Sequence, residues 1–311
     1  MMNPLITIVT PSYNHEQFIE ATIQSVLTQD YSPIEYIIMD GGSTDGTLDI
    51  LRKYEDRLTW YSEPDKGQGD AINKGFRHAT GEIWGWLNSD DLLMPGALKT
   101  VSQFFQNHLD AYFVYGDAEA ITLDGKPAGM RTHIRPTDFD KLLNIGDFIV
   151  QPAAFWRAEL WRTVGELDLQ WQYVLDYEYW IRAARRYQLH YIPQPLAQER
   201  IYAAAKTFRG GIERAAELDQ MPRRFGGDGI PQGFRSEAAA MYLARAWDHL
   251  KHGRRAEAQA DANTALSLNN NLPMFAVYIV TLALRGEAGI PGMRLAMNRV
   301  RGALQKFSLA K

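Results

Sequence analysis

In the first part of the chain, short apolar runs alternate with segments of helical period. Leu5 to Thr10 is β-branched and stops at Pro11; Ile34 to Met39, Leu58 to Tyr61 and Ile83 to Leu87 repeat the pattern. Runs of this length, bounded by turn residues, predict strands. Between them, Glu16 to Gln29 sets Ile19, Ile23, Val26 and Leu27 on one helical face. Thr47 to Tyr54, Asp70 to Ala79 and Pro95 to Asn107 also read as helices. Such alternation implies βαβ units and a mostly parallel sheet flanked by helices.

The pattern then changes. Ala111 to Tyr115 predicts another strand, and Asp124-Gly125, between Ala118–Leu123 and Ala128–Arg131, predicts a hairpin. Phe148 to Trp180 is rich in aromatics, among them Trp156, Trp161, Tyr177 and Trp180. Most are expected in the core, with a minority available to line a groove for sugar rings. After Arg209 the chain becomes alanine-rich and helical, and the glycine-rich stretch Phe225 to Phe234 looks like a boundary or connection. The expected division is a 1–209 domain and a 210–311 helical region.

Composition narrows the chemistry. The chain has 311 residues, a net charge of -4 and no cysteine. Disulfides, thiolate metal sites and cysteine nucleophiles are therefore excluded, and nothing global favours nucleic acid. Met1 to Ile8 lacks the basic and apolar regions of a signal peptide. The run Met274 to Leu284 is far short of the ~20 residues that span a bilayer. A cytoplasmic location is the expectation.

Three strand ends carry polar groups: Thr10-Pro11-Ser12-Tyr13-Asn14, Asp40-Gly41-Gly42-Ser43-Thr44-Asp45-Gly46-Thr47 and Asn88-Ser89-Asp90-Asp91. Parallel strands bring their C-terminal tips together, the edge at which open α/β sheets bind ligands. Adjacent acids such as Asp90 and Asp91 repel unless a cation or donors offset them, and Mg2+ is held by one or two carboxylates plus substrate phosphates. The plainer reading of that loop is a turn before the next helix. Asp40 can accept hydrogen bonds from a base or ribose, while Ser43 or Thr44 would cap a helix with Asp45 near its dipole. Lys66, in Glu63-Pro64-Asp65-Lys66-Gly67-Gln68-Gly69-Asp70, can reach a diphosphate or simply be solvated.

With the Asp65–Gly75 segment, these motifs stand in the order and spacing of a known family. Ile6 to about Thr207 resembles the family-two inverting glycosyltransferases, nucleotide-sugar transferases of Rossmann-like GT-A fold. The resemblance implies a metal-dependent hexosyl- or N-acetylhexosaminyl-transferase using Mg2+ or Mn2+. Its donor would be a nucleotide sugar, UDP-sugars being favoured, and its acceptor a glycan or lipid-linked hydroxyl, in envelope or exopolysaccharide synthesis. It implies that Thr10, Pro11, Tyr13 and Asp40 form the nucleotide site, that Asp90 binds the metal and that Asp91 lies close by. Asn88 takes the place of the usual first acid of the metal motif.

In Leu175-Asp176-Tyr177-Glu178-Tyr179-Trp180 the resemblance puts Asp176 at the catalytic base, with Leu175 replacing an acid. An inverting transfer needs one carboxylate beside the acceptor hydroxyl; the plainer readings are an N-cap for Asp176 and an exposed first-turn acid for Glu178. In Gln198 to Thr207, Arg200 and Lys206 match phosphate contacts, with Tyr202 in place of a family histidine. Gln151-Pro152 matches a subset of the family and would face the acceptor.

Other classes fit less well. Neither Gly-any-Gly-any-any-Gly nor a Gly-Lys-Ser/Thr loop follows a strand, and a sugar hydrolase would leave the Asp40 loop unexplained. The non-enzymatic alternative is an inactive nucleotide-sugar-binding or scaffold protein, supported by Asn88, Leu175 and Tyr202. Outside the resemblance, Ala240 to Pro273 loosely resembles one tetratricopeptide-type hairpin. From Pro291 onward, Met293, Ala296, Met297, Val300 and Leu304 share a helical face beside Arg294, Arg299, Arg301, Lys306 and Lys311. That pattern suits either an anionic membrane surface or packing on a neighbouring helix.

Overall fold

The computed structural model describes residues 3–131 and 133–269. The Met274–Leu284 run and the basic pattern after Pro291 lie outside them. Among the described residues one sheet holds nine strands: β1 (Ile6–Ser12), β2 (Ile34–Asp40), β3 (Thr59–Ser62), β4 (Ile83–Trp86), β5 (Leu92–Leu93), β6 (Phe113–Ile121), β7 (Pro127–Met130), β8 (Ala154–Arg157) and β9 (Leu189–Arg200). Their order is β3-β2-β1-β4-β8-β6-β9-β5, with β7 hairpinned onto β6. β3, β2, β1 and β4 are mutually parallel, separated by the helices Ile19–Leu27, Thr47–Arg52 and Gln68–His78. β8 joins β4 antiparallel, and β9 runs parallel to β6.

β1 continues through Pro11 to Ser12, beyond the expected stop. Val9 is the last β1 residue paired to β4, and its carbonyl accepts from Leu87 N. Alternation turns the Pro11 nitrogen to that same side, past the end of the β4 ladder, so no ladder bond is lost. The register aligns the strand tips: Ser12 lies opposite Asp40, and Asp40 opposite Ser62. The core beneath is aromatic. Trp156 and Trp180 are fully buried, and Trp86 stacks on Trp180 with ring centroids 5.6 Å apart.

The chain separates into two compact units, residues 1–143 with 147–202, and residues 144–146 with 203–311. In the second, the helices Arg235–Lys251 and Arg255–Leu268 form a hairpin that turns at Gly253, whose positive φ of 72° suits glycine. Ala239, Leu243 and Ala246 bury against Ala258, Ala262 and Ala265. Arg245 grips Asp261 through two hydrogen bonds of 2.7 and 2.6 Å. The glycine-rich stretch Phe225 to Phe234 lies inside this unit, before the hairpin, and not between the units.

Candidate active site

Four loops meet at the tips of the parallel strands because polar side chains tie them together. Asn14, in the left-handed region at φ 52°, accepts from Thr44 N through Oδ1 (2.8 Å) and donates its own N–H to Ser43 Oγ (2.8 Å). Asparagine tolerates that conformation better than most residues. Glu16 N donates to Asp45 Oδ2 (3.0 Å), and Gly46 N returns to Glu16 Oε2 (2.7 Å). The β4 loop is drawn in by His15 Nδ1 with Ser89 Oγ (2.6 Å) and by Gln68 Nε2 donating to Asn88 Oδ1 (2.7 Å). Thr22 Oγ1 binds the carbonyls of Ser89 and Asp91, both at 2.9 Å.

Within this frame, several expected ligand contacts are structural. Thr10 is buried with its hydroxyl 3.1 Å from Tyr36 Oη, and Pro11 is buried beside it. Asp40 is 2% exposed. Its Oδ2 accepts from Gly42 N, Ser43 N and Ser62 Oγ at 3.0, 2.9 and 2.6 Å, and its Oδ1 from Ser43 Oγ at 2.5 Å. The carboxylate therefore folds its own loop. Ser43 serves Asp40 and Asn14 instead of capping a helix; the helix Thr47–Arg52 has Gly46 at its N-cap and no side-chain cap, and Asp45 Oδ1 accepts from Thr47 N (3.0 Å) across that turn. Tyr13 and Lys66, by contrast, are exposed.

The second acid of the Asp90-Asp91 pair is also committed. Asp91 Oδ1 accepts from Arg200 N (2.9 Å), and Oδ2 from Asn88 Nδ2 (3.2 Å). Burial, reinforced by the charges of Asp90 and Glu199, pushes its carboxyl well above the usual aspartate range. Asn88, bonded on both sides of its amide, is a strut between the Gln68 helix and Asp91. Arg200, expected at the diphosphate, is 7% exposed. Its guanidinium donates to the carbonyls of Asp90, Thr122 and Leu123, each at 2.9 Å, and lies over the Phe18 ring. Those carbonyls fix it beneath the site.

Asp90 is the acid left facing outward. It is half-buried, Tyr202 Oη donates to its Oδ2 at 2.8 Å, and among the described residues its Oδ1 accepts no hydrogen bond. Burial raises the Tyr202 phenol, and the charge and hydrogen bond of Asp90 add to it. Across the site Asp176 stands half-buried in the first turn of the helix Leu175–Ala184. Glu199 lies within electrostatic reach of both Asp176 and Asp90; burial pushes its carboxyl up, Arg131 offsets this, and the two aspartates add to it. Arg131 Nε is 2.9 Å from Glu199 Oε2 yet out of line for a hydrogen bond. Glu178 is buried, against expectation, and takes Arg182 Nε on both oxygens at 2.8 and 3.0 Å. Gln151 is buried too, its Nε2 donating to Trp86 O at 2.8 Å instead of presenting itself to an acceptor.

A hard divalent cation fits this donor set. Asp90 is an acceptor-only carboxylate with one oxygen open, in a neighbourhood where Asp91, Glu199 and Asp176 leave acid in excess. Among the described residues no group of three or more His, Cys, Asp or Glu side chains is arranged around a metal. A cation at Asp90 would thus take its remaining ligands from water and phosphate oxygens, as Mg2+ commonly does.

Residues 7–160 match the family described as Glycosyl transferase family 2. A PGL/p-HBAD biosynthesis glycosyltransferase of Mycobacterium bovis is 31% identical over 187 residues, covering 58% of this chain and 70% of that one. The chain belongs to glycosyl transferase family 2. An uncharacterized glycosyltransferase of Rickettsia typhi is 26% identical over 212 residues, 66% of each protein. Among solved structures, S. aureus TarS superposes with a TM-score of 0.58 at 16% identity, covering 89% of this family 2 chain and 51% of TarS. The mannosyltransferase PcManGT from Pyrobaculum calidifontis, solved with GDP-Man and Mn2+, gives 0.56 at 22% identity, covering 90% and 79%. The expected GT-A fold is the one observed.

The Tyr202–Asp90 contact joins residues far apart in the chain, and the sequence gives one signal for it: Tyr202 replaces a family histidine at a position that the resemblance implies to be near the diphosphate.

Proposed function

We propose that the protein is an inverting, metal-dependent glycosyltransferase. It moves a hexosyl or N-acetylhexosaminyl group from a nucleotide-diphosphate sugar to a hydroxyl of a glycan or lipid-linked acceptor in envelope polysaccharide synthesis, with residues 1–209 as the catalytic part. The observation that carries this reading is the open Oδ1 of Asp90 at the tip of β4, with Asp176 across the same acidic neighbourhood. Names of similar proteins support the class: TarS has been solved with UDP-GlcNAc, and PcManGT with GDP-Man and Mn2+.

Asp90 would hold the cation, which offsets charge building on the departing diphosphate. Tyr13 lies open to the nucleotide, and Lys66 presents an exposed ammonium to the phosphates. Asp176 accepts the proton of the acceptor hydroxyl as its oxygen attacks the anomeric carbon. The bond from that carbon to the diphosphate oxygen breaks with its electron pair leaving on the diphosphate, and the configuration inverts. Asp91, Asn88 and Arg200 keep the loop that presents Asp90 in place.

The test is release of nucleoside diphosphate from a panel of UDP-, dTDP- and GDP-sugars with Mg2+ or Mn2+ and mixed glycan and lipid-linked acceptors. Turnover that stops on chelation supports the reading. Tight donor binding without transfer to any acceptor would favour the inactive binding protein instead.

A further inference from the structure

His15 follows the first strand-tip segment and holds two other loops. Its backbone N–H donates to Thr47 Oγ1 at 3.1 Å, at the start of the helix Thr47–Arg52, and its Nδ1 lies 2.6 Å from Ser89 Oγ in the loop after β4. Ser89 is 2% exposed, and among the described residues its hydroxyl has no other partner. Asp90 is the next residue. The half-buried imidazole also packs edge-on against Phe18, with ring centroids 5.7 Å apart. Phe18 in turn carries the Arg200 guanidinium 4.9 Å from its centroid and meets the Tyr202 ring at 5.5 Å. His15 therefore reaches Asp90 from two sides. One route runs along the chain from Ser89; the other runs through Phe18 to Tyr202, whose Oη donates to Asp90 Oδ2.

We propose that His15 is a positioning residue for the metal, fixing the direction in which Asp90 presents its open oxygen. This rests on the reading of Asp90 as the metal carboxylate of a nucleotide-sugar transferase. The peptide that joins Ser89 to Asp90 is held at its carbonyl by Thr22 Oγ1 (2.9 Å) and, through the Ser89 side chain, by the imidazole. A buried hydroxyl that loses its one partner stays unpaired or turns to find another, and either outcome releases that peptide. A cation held by a single protein carboxylate has no second side chain to correct a misplaced first. The groups that orient the carboxylate then set the affinity. The Ser89 hydroxyl can donate to Nδ1 or accept from it. Asparagine carries an oxygen and an N–H on the same Cγ position and satisfies either polarity, whereas phenylalanine keeps a ring against Phe18 and loses the bond.

The experiment titrates Mn2+ into the full chain by electron paramagnetic resonance, in saturating UDP and separately in saturating GDP. Melting curves are taken for every variant, and Mn2+-dependent turnover is followed on the donor that wild type uses. His15→Phe should raise the Mn2+ dissociation constant about two- to tenfold, the weight of one hydrogen bond, and leave kcat at saturating Mn2+ in place. Ser89→Ala should give the same shift, and the double variant no more than either single one, because both remove one interaction. His15→Asn should match wild type. Lowered melting midpoints with an unchanged Mn2+ constant, additive shifts in the double variant, or a folded His15→Asn that does not restore Mn2+ binding would each overturn the assignment. A fall in kcat at an unchanged Mn2+ constant would overturn it too, by placing His15 on the substrate. A wild type that binds no Mn2+ with either nucleotide would overturn the metal reading, and this proposal with it.

Discussion

Tyr202 Oη donates to Asp90 Oδ2 at 2.8 Å, so the proposed metal ligand is oriented by a residue from beyond the end of β9. Tyr202→Phe removes the bond and keeps the ring that packs on Phe18. The metal concentration for half-maximal activity should rise about tenfold or more, as for other partners of metal ligands. Saturating metal should restore most of the rate. A loss that metal does not restore would mean that Tyr202 acts directly on substrate.

Asp90→Ala removes the open carboxylate oxygen itself. Turnover should be nearly abolished and nucleotide-diphosphate binding should lose its dependence on Mg2+ or Mn2+, read by calorimetry with and without EDTA. Near wild-type activity in EDTA-treated buffer would refute the metal assignment.

Asp176→Asn separates chemistry from binding. Nucleotide affinity should hold while kcat falls about a hundredfold or more, the usual weight of a general base. Collapse of donor affinity with an unchanged rate per bound donor would make Asp176 a binding residue.

Glu199→Gln tests the acidic neighbourhood. The folded-state pKa of Glu199 is raised, chiefly by burial, so the wild-type carboxyl favours folding only when protonated and loses that contribution as pH rises through its folded value. The variant should therefore gain on wild type at pH 7, and the gap should close as pH falls towards the ordinary glutamate range. Urea melts from pH 4 to 8 would check this; a gap that widens in acid would reverse the sign.

Gly75→Ala tests the packing that seats the site. A Cβ there would overlap Val9 Cγ1 and lie 3.1 Å from Met39 Cγ, at the face where the Gln68–His78 helix crosses β1 and β2. Overpacking of this kind typically costs about 1–3 kcal/mol. The midpoint of denaturation should fall, with no change in metal preference.

The strand-and-helix alternation was legible because each parallel strand is an unbroken apolar run, and the residues at the strand tips could be named from the same pattern. What each tip residue does was less legible, because the competition for its atoms is settled by neighbours distant in sequence. Asp40 reads as a ligand contact until Gly42, Ser43 and Ser62 are seen to converge on it. Arg200 reads as a phosphate contact until three carbonyls are found around its guanidinium. Glu178 looks like a solvated first-turn acid, yet Arg182, one helical turn on, allows it to be buried. The family pattern points to Asp90 and Asp176, and their roles rest with the experiments above.

The reciprocal bonds between Asn14 and the Ser43-Thr44 pair, and between Glu16 and the Asp45-Gly46 pair, join the first two strand-tip loops like interlocked teeth. Neither loop can gain or lose a residue without unseating the other. Among homologues, then, their lengths should change together or not at all. Under the proposed function, diversity in the acceptor would thereby be steered away from these two loops, towards loops that no such teeth constrain.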